Sequence, residues 1–301
     1  MCVDVSNIRP AFNPDEFKAQ QRQMWDNAAA GWQAWWPTFE RGSQKVSDKI
    51  VELAEIKSGD WVLDIATGIG EPAVTAARKV MPDGKVVATD ISPQMLAIAK
   101  TRAKSLGLDS VIEFRESDGE KLDLPESSSS TTTAKKFDAI LSRWGLMFFP
   151  NLPAALFRIR QMLITNGRLS AAVWSAPPKV PWLDLAFATV RKQINALAPS
   201  PGEPGPFALA DQDTLKHLFS EAGFKEIKID TFQITFEFDS PESYTKLHQQ
   251  TATRIHAMLA NHTEEVKKQA WNSITEAVWQ YADSHGRVNL DNEVICIVAK
   301  N

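Results

Sequence analysis

The chain has 301 residues, 44% of them hydrophobic, and a formal net charge of −4. This is enough for one large domain with a buried core, and an acidic balance without any basic run argues against a nucleic-acid-binding surface. No apolar run is long enough to span a membrane, and the N-terminus has no signal-peptide pattern. The two cysteines, Cys2 and Cys296, make neither a disulfide framework nor a zinc cluster. We therefore expect a cytoplasmic protein without a metal.

The N-terminal segment predicts a helix that begins at Asn13-Pro14-Asp15-Glu16, with a capping side chain, an early proline and acids in the first turn. Aromatic side chains recur along one face of it. This stripe is either a face that docks on the body of the protein or an aromatic lid over a substrate pocket, and a helix lying across a cleft would satisfy both. A second amphipathic helix is predicted over 43–54. The stripe consists of Trp25, Trp32, Trp36 and Phe39.

The segment 61–72 predicts a buried strand, a tight turn and the start of a helix. Trp61 to Ile65 is an apolar run, residues 66–70 are small, and Glu71-Pro72 opens the next element. This arrangement is typical of a nucleotide-type site in an open α/β sheet. Asp64 and Glu71 would repel a pyrophosphate and attract a cation, which favours S-adenosylmethionine, with its sulfonium and ammonium groups, over NAD. Alternatively, Glu71 only begins a helix and faces solvent.

The next two strands also end in carboxylates. Lys85 to Asp90 predicts the second strand, and Asp90 lies 20 residues after Gly70, where an acid in such folds accepts hydrogen bonds from a ribose diol. Asp90 could instead cap the helix predicted over 93–106. The third strand, 111–115, leads to Asp118-Gly119, which is either a plain turn or a carboxylate presented to the adenine amine.

A fourth strand, 137–142, leads to Arg143-Trp144, at the edge of the sheet where ligands bind. A helix over 156–162, a turn at 165–167 and a strand over 168–174 follow. The Ser/Thr-rich run 127–134 is a polar surface loop to which we assign no function.

The second half predicts extra helices between the later strands. They cover 182–197, 241–260 and 263–284; a Pro-rich connection occupies 199–206, and a helix runs from Asp211/Asp213 to Gly223. Strands are expected over 226–238, with a bend near Asp230-Thr231, and over 294–299. His248 and His256 lie eight residues apart on one predicted helix and so near one face. They and Tyr244 are weak candidates for a catalytic base, and solvated or structural roles are the ordinary alternative.

As an ordered set, these segments resemble the class I S-adenosylmethionine-dependent methyltransferases. The residues that carry the resemblance are 62–71, 86–92, 117–119, 137–144 and 163–169. The set is similar to the branch that contains the ubiquinone/menaquinone-biosynthesis methyltransferases. The match is good over roughly 45–175 and looser over the last strands.

The resemblance implies an α/β, Rossmann-like, seven-stranded sheet of order 3-2-1-4-5-7-6, with an antiparallel last strand and helices on both faces. It implies a single domain, 1–301, with a core of about 45–175, 211–238 and 288–300 and a helical cap from 13–40, 181–197 and 240–285. Ala66 is a departure, since the family often has glycine there. The cofactor residues implied are Asp64, Ala66, Thr67, Gly68, Gly70, Asp90, Ile91, Met95, Ser117, Asp118, Gly119, Ser142 and Arg143.

The activity implied is methyl transfer to an oxygen, nitrogen or carbon atom of a small-molecule acceptor. In-line displacement at an activated sulfonium needs alignment and exclusion of water more than a dedicated base. Trp25, Trp36, Trp144 and Trp182 could wall the acceptor, or simply pack. Quinone-ring C-methylation is the narrower alternative. The rival classes are an NAD-dependent oxidoreductase, whose Gly-x-Gly-x-x-Gly spacing is absent, and a non-catalytic cofactor-binding protein. The sequence leaves open whether the protein is a monomer or a homodimer.

Overall fold

A seven-stranded mixed sheet forms the centre of the protein. The computed structural model describes residues 12–122, 136–198 and 202–301. The strand order is β3-β2-β1-β4-β5-β7-β6, which confirms the predicted order. The strands are β1 (Trp61–Ile65), β2 (Lys85–Asp90), β3 (Ile112–Glu116), β4 (Phe137–Arg143), β5 (Leu163–Trp174), β6 (Lys225–Phe238) and β7 (Val288–Lys300).

The first five strands are parallel, and β7 runs antiparallel to both β5 and β6. The chain order reverses between β1 and β4, so the carboxyl ends of β1, β2 and β4 meet at the switch point where open α/β sheets bind ligands. The run 127–134, Cys2 and residues 199–201 of the Pro-rich connection lie outside the described residues.

Ten α-helices are present in the described ranges. None of them is long and apolar enough to cross a bilayer. They are α1 (Pro14–Ala34), α2 (Trp36–Leu53), α3 (Ala73–Val80), α4 (Pro93–Ser105), α5 (Leu152–Met162), α6 (Pro181–Gln193), α7 (Gln212–Glu221), α8 (Pro241–Thr251), α9 (Thr253–Leu259) and α10 (Glu264–Val278).

The alternation of side chains along β1 divides the core between the two faces of the sheet. Val62 packs with the small residues of α3, whereas Leu63 and Ile65 join the larger apolar cluster on the other face. All three are fully buried. At roughly 1.5–3 kcal/mol for each buried aliphatic side chain, both faces stabilise the strand that carries the glycine loop.

Helix α1 begins where the sequence predicts, because the Asn13 side chain accepts from the backbone N–H groups of Asp15 and Glu16. The helix packs against α4, α8 and α9. Its closest approach to α8 is at Gly31, where a Cβ would lie 2.1 Å from the Gln250 carbonyl oxygen. Only glycine permits that contact.

The division of the chain into core and cap stays a prediction.

Several predicted boundaries are wrong. Helix α2 begins at Trp36 and not at residue 43, because Pro37 occupies a first-turn position and the helix continues from there. The predicted helix 241–260 is two helices separated at Ala252, whose ψ of 66° interrupts the helical backbone. Helix α6 ends at Gln193, and α10 ends at Val278, followed by a short 3₁₀ turn.

The last two strands are also longer and more regular than predicted. Strand β7 begins at Val288 and not at residue 294, because Val288 and Leu290 already pack inward. In β6 the irregularity lies between Lys225 and Lys228, whereas the register is continuous through Asp230-Thr231. A left-handed φ of +48° at Glu226 accompanies it.

Candidate functional site

The loop after β1 is held in a left-handed conformation. Ala66, Gly68 and Gly70 have φ values of +60°, +57° and +108°. A Cβ on Gly68 would meet nothing within 4 Å, so the backbone conformation, and not crowding, favours glycine there. The left-handed φ of Ala66 explains why glycine suits that position, at a cost of about 1 kcal/mol for alanine. The backbone N–H of Thr67 donates to the Thr89 carbonyl at 2.9 Å, which fixes the loop to β2.

Asp90, at the end of β2, orients this loop. Its Oδ2 accepts from the Gly68 N–H at 2.8 Å, and its Oδ1 accepts from the Ser92 N–H at 2.9 Å. Burial raises the pKa of Asp90 to about 6, although these backbone donors oppose the rise. Its carboxylate also lines the cavity above the loop.

Asp64 lies behind the loop and does not line the cavity. Its Oδ2 accepts from the Ala73 N–H at 3.0 Å, so it caps the start of α3. The side chain is fully buried, and burial raises its pKa to about 7, with opposing contributions from Thr67 and Arg143. Direct contact between Asp64 and a cofactor stays a prediction.

Glu71 does not face solvent, so that alternative is wrong. It is buried, accepts from the Thr75 hydroxyl at 2.7 Å, and lies 4.0 Å from the Arg102 guanidinium. It lines the same cavity as Asp90. The Glu71 carboxylate therefore belongs to the inner wall of the cavity, beside the loop after β1.

The cofactor cavity, as we name it, occupies about 1040 Å³ at the carboxyl edge of β1, β2 and β4 and is open to solvent. Among the described residues, four carboxylates line it, against two basic side chains, Lys18 and Arg143. This balance favours a ligand that carries positive charge. The acids are Glu71, Asp90, Asp118 and Glu120.

Helix α1 covers this cavity. Lys18 pairs with Asp118 at 2.8 Å and also with Glu120, and Arg22 pairs with Glu116 at 2.6 Å. Asp26 accepts from the Ser92 hydroxyl at 2.6 Å. Hence the helix is fastened to the ends of β2 and β3 by polar contacts on one of its faces.

Arg143 and Ser142 support the cavity from β4. The Arg143 guanidinium donates to the hydroxyl oxygens of Ser47, at 2.8 Å, and Ser43, at 3.2 Å. Burial lowers its pKa, which Glu71 and Asp64 oppose. The Ser142 hydroxyl donates to the Ile65 carbonyl at 3.0 Å, so it ties β4 to the loop and does not line the cavity.

A second cavity adjoins the first, with about 880 Å³ of space when the open solvent at its mouth is included, and we call it the aromatic chamber. The two share the side chains of Gln21, Trp25, Trp32, Trp144 and Phe148. Among its described lining residues none is a carboxylate, and the basic or titratable ones are His248 and Arg254. Its character is therefore apolar and neutral to basic, in contrast to the acidic cofactor cavity. The other aromatic side chains of its wall are Phe39, Trp174, Trp182, Phe187 and Phe236.

The four predicted substrate tryptophans occupy three positions. Trp25 and Trp144 line both cavities, Trp36 lines only the cofactor cavity, and Trp182 lines only the aromatic chamber. Trp36 lies under the Arg102 guanidinium, with 3.6 Å from Cζ to the ring centroid. Trp144 stacks on Trp174 with 4.4 Å between centroids, which holds its ring in the wall.

The candidate bases are separated by the break at Ala252. His256 is exposed on α9, outside both cavities, and its Nε2 bonds the Gln249 carbonyl. Tyr244 is buried, lines neither cavity, and donates to the Trp182 carbonyl at 3.0 Å, while burial raises its pKa. Only His248 lines the aromatic chamber, so the prediction that the two histidines share one helical face is wrong.

Of the predicted cofactor residues, all but Asp64, Gly70 and Ser142 line the cofactor cavity. Sequence reasoning missed Lys18, Gln21 and Glu120. For Lys18 and Gln21 the signal was their helical spacing with Trp25 and Trp32, which places a basic and an amide side chain on the aromatic stripe. Glu120 lies in the turn after β3 and had no such signal. The residues that the cavity brings together are Ala66, Thr67, Gly68, Asp90, Ile91, Met95, Ser117, Asp118, Gly119 and Arg143.

Comparison with known proteins agrees with this geometry. Residues 56–223 match a family model described as a methyltransferase domain, which is more than half of the chain. The chain belongs to this methyltransferase family. It is 30% identical over 187 residues to the ubiquinone/menaquinone biosynthesis C-methyltransferase of Pseudomonas putida, covering 59% of this chain and 70% of that one. A demethylmenaquinone methyltransferase of Symbiobacterium thermophilum is 26% identical over 71% of this chain and 88% of its own length.

Solved structures with the same fold are more distant. The [4+2]-cyclase SpnF has a TM-score of 0.59 at 17% identity, covering 94% of this chain and 96% of its own. Phosphoethanolamine N-methyltransferase 2 of Haemonchus contortus, solved with S-adenosylhomocysteine, has a TM-score of 0.57 at 17% identity, covering 95% and 60%. The family model and the bacterial relatives identify the chain as an S-adenosylmethionine-dependent methyltransferase, which sets aside the oxidoreductase alternative. The acids of the cofactor cavity and the open space above Gly68 fit that cofactor.

Proposed function

We propose that the enzyme methylates a small molecule that binds in the aromatic chamber. The observation that carries this proposal is the wall that the two cavities share, formed by Trp25, Trp32, Trp144 and Phe148. Because the same side chains line both cavities, a methyl donor in the cofactor cavity and an acceptor in the aromatic chamber would approach each other at this boundary. When bound, S-adenosylmethionine supplies an activated methyl group on a sulfonium.

The residues of the cofactor cavity have distinct roles in this proposal. Asp90 would accept from the ribose hydroxyls while it keeps the Gly68 N–H, because a carboxylate offers about four lone-pair directions. Asp118 and Gly119 would face the adenine, and the 66–70 loop the methionine end. Lys18 of α1 already pairs with Asp118, so the adenine would share that carboxylate with the Lys18 ammonium.

The chain's contribution to the reaction is alignment and exclusion of water. Holding both reactants in an in-line arrangement replaces a bimolecular encounter, and effective molarities of about 10⁵ M or more are known for well-oriented groups. Helix α1 covers the acidic side, and α8 and α9 flank the aromatic side. Stacked pairs such as Trp144–Trp174 keep the walls rigid.

The aromatic walls favour a flat, apolar acceptor. Quinone-ring C-methylation is the narrower candidate, because the Pseudomonas and Symbiobacterium relatives are named as enzymes of quinone methylation. The aromatic walls would select for a flat ring and not for one particular ring. Methylation of oxygen, nitrogen or carbon, a cytoplasmic location and the absence of a nucleic-acid partner stay predictions.

A thermal-shift titration with S-adenosylhomocysteine tests the proposal. We expect the melting temperature of the parent protein to rise, because a ligand at 100 times its Kd adds about 2.7 kcal/mol. Asp90→Asn should reduce the rise sharply, whereas Asp83→Asn, at an exposed turn, should leave it unchanged. NADH should give no shift. A rise with NADH and none with S-adenosylhomocysteine would contradict the proposal.

A further inference from the structure

His248 is fixed in one tautomer by its surroundings. Its Nε2 lies 3.0 Å from the Trp182 carbonyl oxygen, and a carbonyl oxygen only accepts hydrogen bonds. Nε2 must therefore carry the proton. The neutral ring then has its lone pair on Nδ1.

Tyr244 secures the same carbonyl from the previous turn of α8. Its hydroxyl also donates to the Trp182 oxygen at 3.0 Å, and the Tyr244 and His248 rings lie edge to face with 4.5 Å between centroids. The tilted Trp182 ring lies 5.2 Å from the imidazole. These contacts leave the imidazole little freedom to turn over.

The lone pair of Nδ1 is not occupied by any hydrogen bond from the described residues. His248 lines the chamber. The indole nitrogens of Trp32, Trp144 and Trp182 differ, because they are buried without a partner and closed off. Another polar group of the wall, the Thr251 hydroxyl, donates to the Leu247 carbonyl.

The charge of the chamber limits what Nδ1 could meet. A protonated amine would find no carboxylate among the described lining residues, and it would face the positive Arg254. An uncharged hydroxyl on an aromatic ring suits both the apolar walls and a single hydrogen-bond acceptor.

We propose that the acceptor is a hydroxylated aromatic molecule whose O–H donates to His248 Nδ1, and that His248 takes this proton during methyl transfer. The inference rests on the proposed function and names its substrate class. In O-methylation the new oxygen–carbon bond forms as the carbon–sulfur bond breaks, and the electron pair of that bond stays on sulfur. The hydroxyl proton moves to Nδ1 and afterwards to solvent.

A weak base is adequate for this step. Burial lowers the pKa of His248 to about 4, so the imidazole is unprotonated at neutral pH. The hydroxyl oxygen becomes far more acidic as its bond to carbon forms. Proton transfer to a weak base therefore becomes favourable within the step itself.

Two substitutions separate the role of each ring nitrogen. Gln in His248→Gln can still donate to the Trp182 carbonyl but has no acceptor at the place of Nδ1. Asn in His248→Asn carries an acceptor near Nδ1 and loses the donor. His256→Gln is the matched control, since that histidine lies outside both cavities.

Calorimetry on protein saturated with S-adenosylhomocysteine compares 2-naphthol with 2-methoxynaphthalene, which lacks the hydroxyl proton. The parent protein should bind 2-naphthol about fivefold more tightly, as expected for one hydrogen bond. The preference should disappear in His248→Gln, persist in His248→Asn and be unchanged in His256→Gln. S-adenosylhomocysteine formed from S-adenosylmethionine and 2-naphthol should fall about a hundredfold or more in His248→Gln, the low end for general-base catalysis.

A preference that survives in His248→Gln, no preference in the parent protein, or no binding of either naphthalene would overturn the inference. Failure of the proposed function would be visible separately, because S-adenosylhomocysteine itself would then not bind to the parent protein.

Discussion

Replacing Asp64 by asparagine should change how the stability of the protein depends on pH. The carboxyl is fully buried, and burial raises its pKa from 3.8 to about 7. The folded state therefore binds this proton more tightly than the unfolded state does. Between these two pKa values, stability falls as pH rises, and above about 7 the loss is complete.

The magnitude follows from the two pKa values. At about 1.4 kcal/mol per pH unit, ionising Asp64 in the folded state costs about 4 kcal/mol in all, of which about 3 kcal/mol falls between pH 5 and pH 8. In Asp64→Asn the amide oxygen still accepts from the Ala73 N–H, so the cap of α3 is kept. Asp90 titrates in the same range in both proteins, and its contribution cancels in the comparison.

Urea unfolding of both proteins at pH 5 and pH 8 measures this effect. The free energy of unfolding of Asp64→Asn, relative to the parent protein, should rise by about 3 kcal/mol between these pH values. Parallel pH profiles for the two proteins would show that the Asp64 carboxyl is not held in a raised-pKa state, and the account of the loop would fail with it.

The affinity for S-adenosylhomocysteine should fall as pH drops below about 6, where Asp90 becomes protonated, and calorimetry at pH 5 and 7.5 should show a loss of up to about tenfold. Gly119→Ala should cost about 1–3 kcal/mol of stability and weaken the same ligand, because its Cβ would lie 2.5 Å from Phe149; an unchanged Kd would contradict this contact. Lys18→Gln should lower the free energy of unfolding by about 1 kcal/mol, since Asp118 and Glu120 lose their shared partner. Lys267→Gln, which removes an exposed ion pair with Glu264, should lower it by less than about 0.5 kcal/mol. Equal losses in the two variants would refute the role of Lys18 in holding α1 on the sheet.

The elements of the sheet were predictable because each strand carries its own local signal. Buried apolar runs such as Trp61–Ile65 are bounded by glycine, proline or acidic residues. The ordered set of these segments resembles a methyltransferase family, and that resemblance implied the sheet topology. Asp90 and Asp118 follow directly from this, since the carboxyl ends of parallel strands meet at one edge. The residues that line the floor of the cofactor cavity were accessible to this reasoning.

The cover of the cofactor cavity by α1 and the aromatic chamber could not be predicted in this way, because both depend on packing between segments that are distant in sequence. Lys18 reaches Asp118 across 100 positions of sequence, and Trp182 meets His248 across 66. Nothing local predicts the break at Ala252, which buries His248 and leaves His256 exposed. Likewise, nothing local predicts that one oxygen of the Asp64 carboxyl accepts from the Ala73 N–H, nine residues later, and caps α3.

In our proposal, a sulfonium donor in the cofactor cavity and a flat acceptor in the aromatic chamber meet where the same aromatic side chains line both cavities. A crystal structure with S-adenosylhomocysteine bound tests it most directly. We expect the ribose against Asp90, the adenine beside Asp118 and Gly119, and the sulfur directed at the wall of Trp25 and Trp144. A sulfur directed away from the aromatic chamber, or an adenine inside it, would contradict the account.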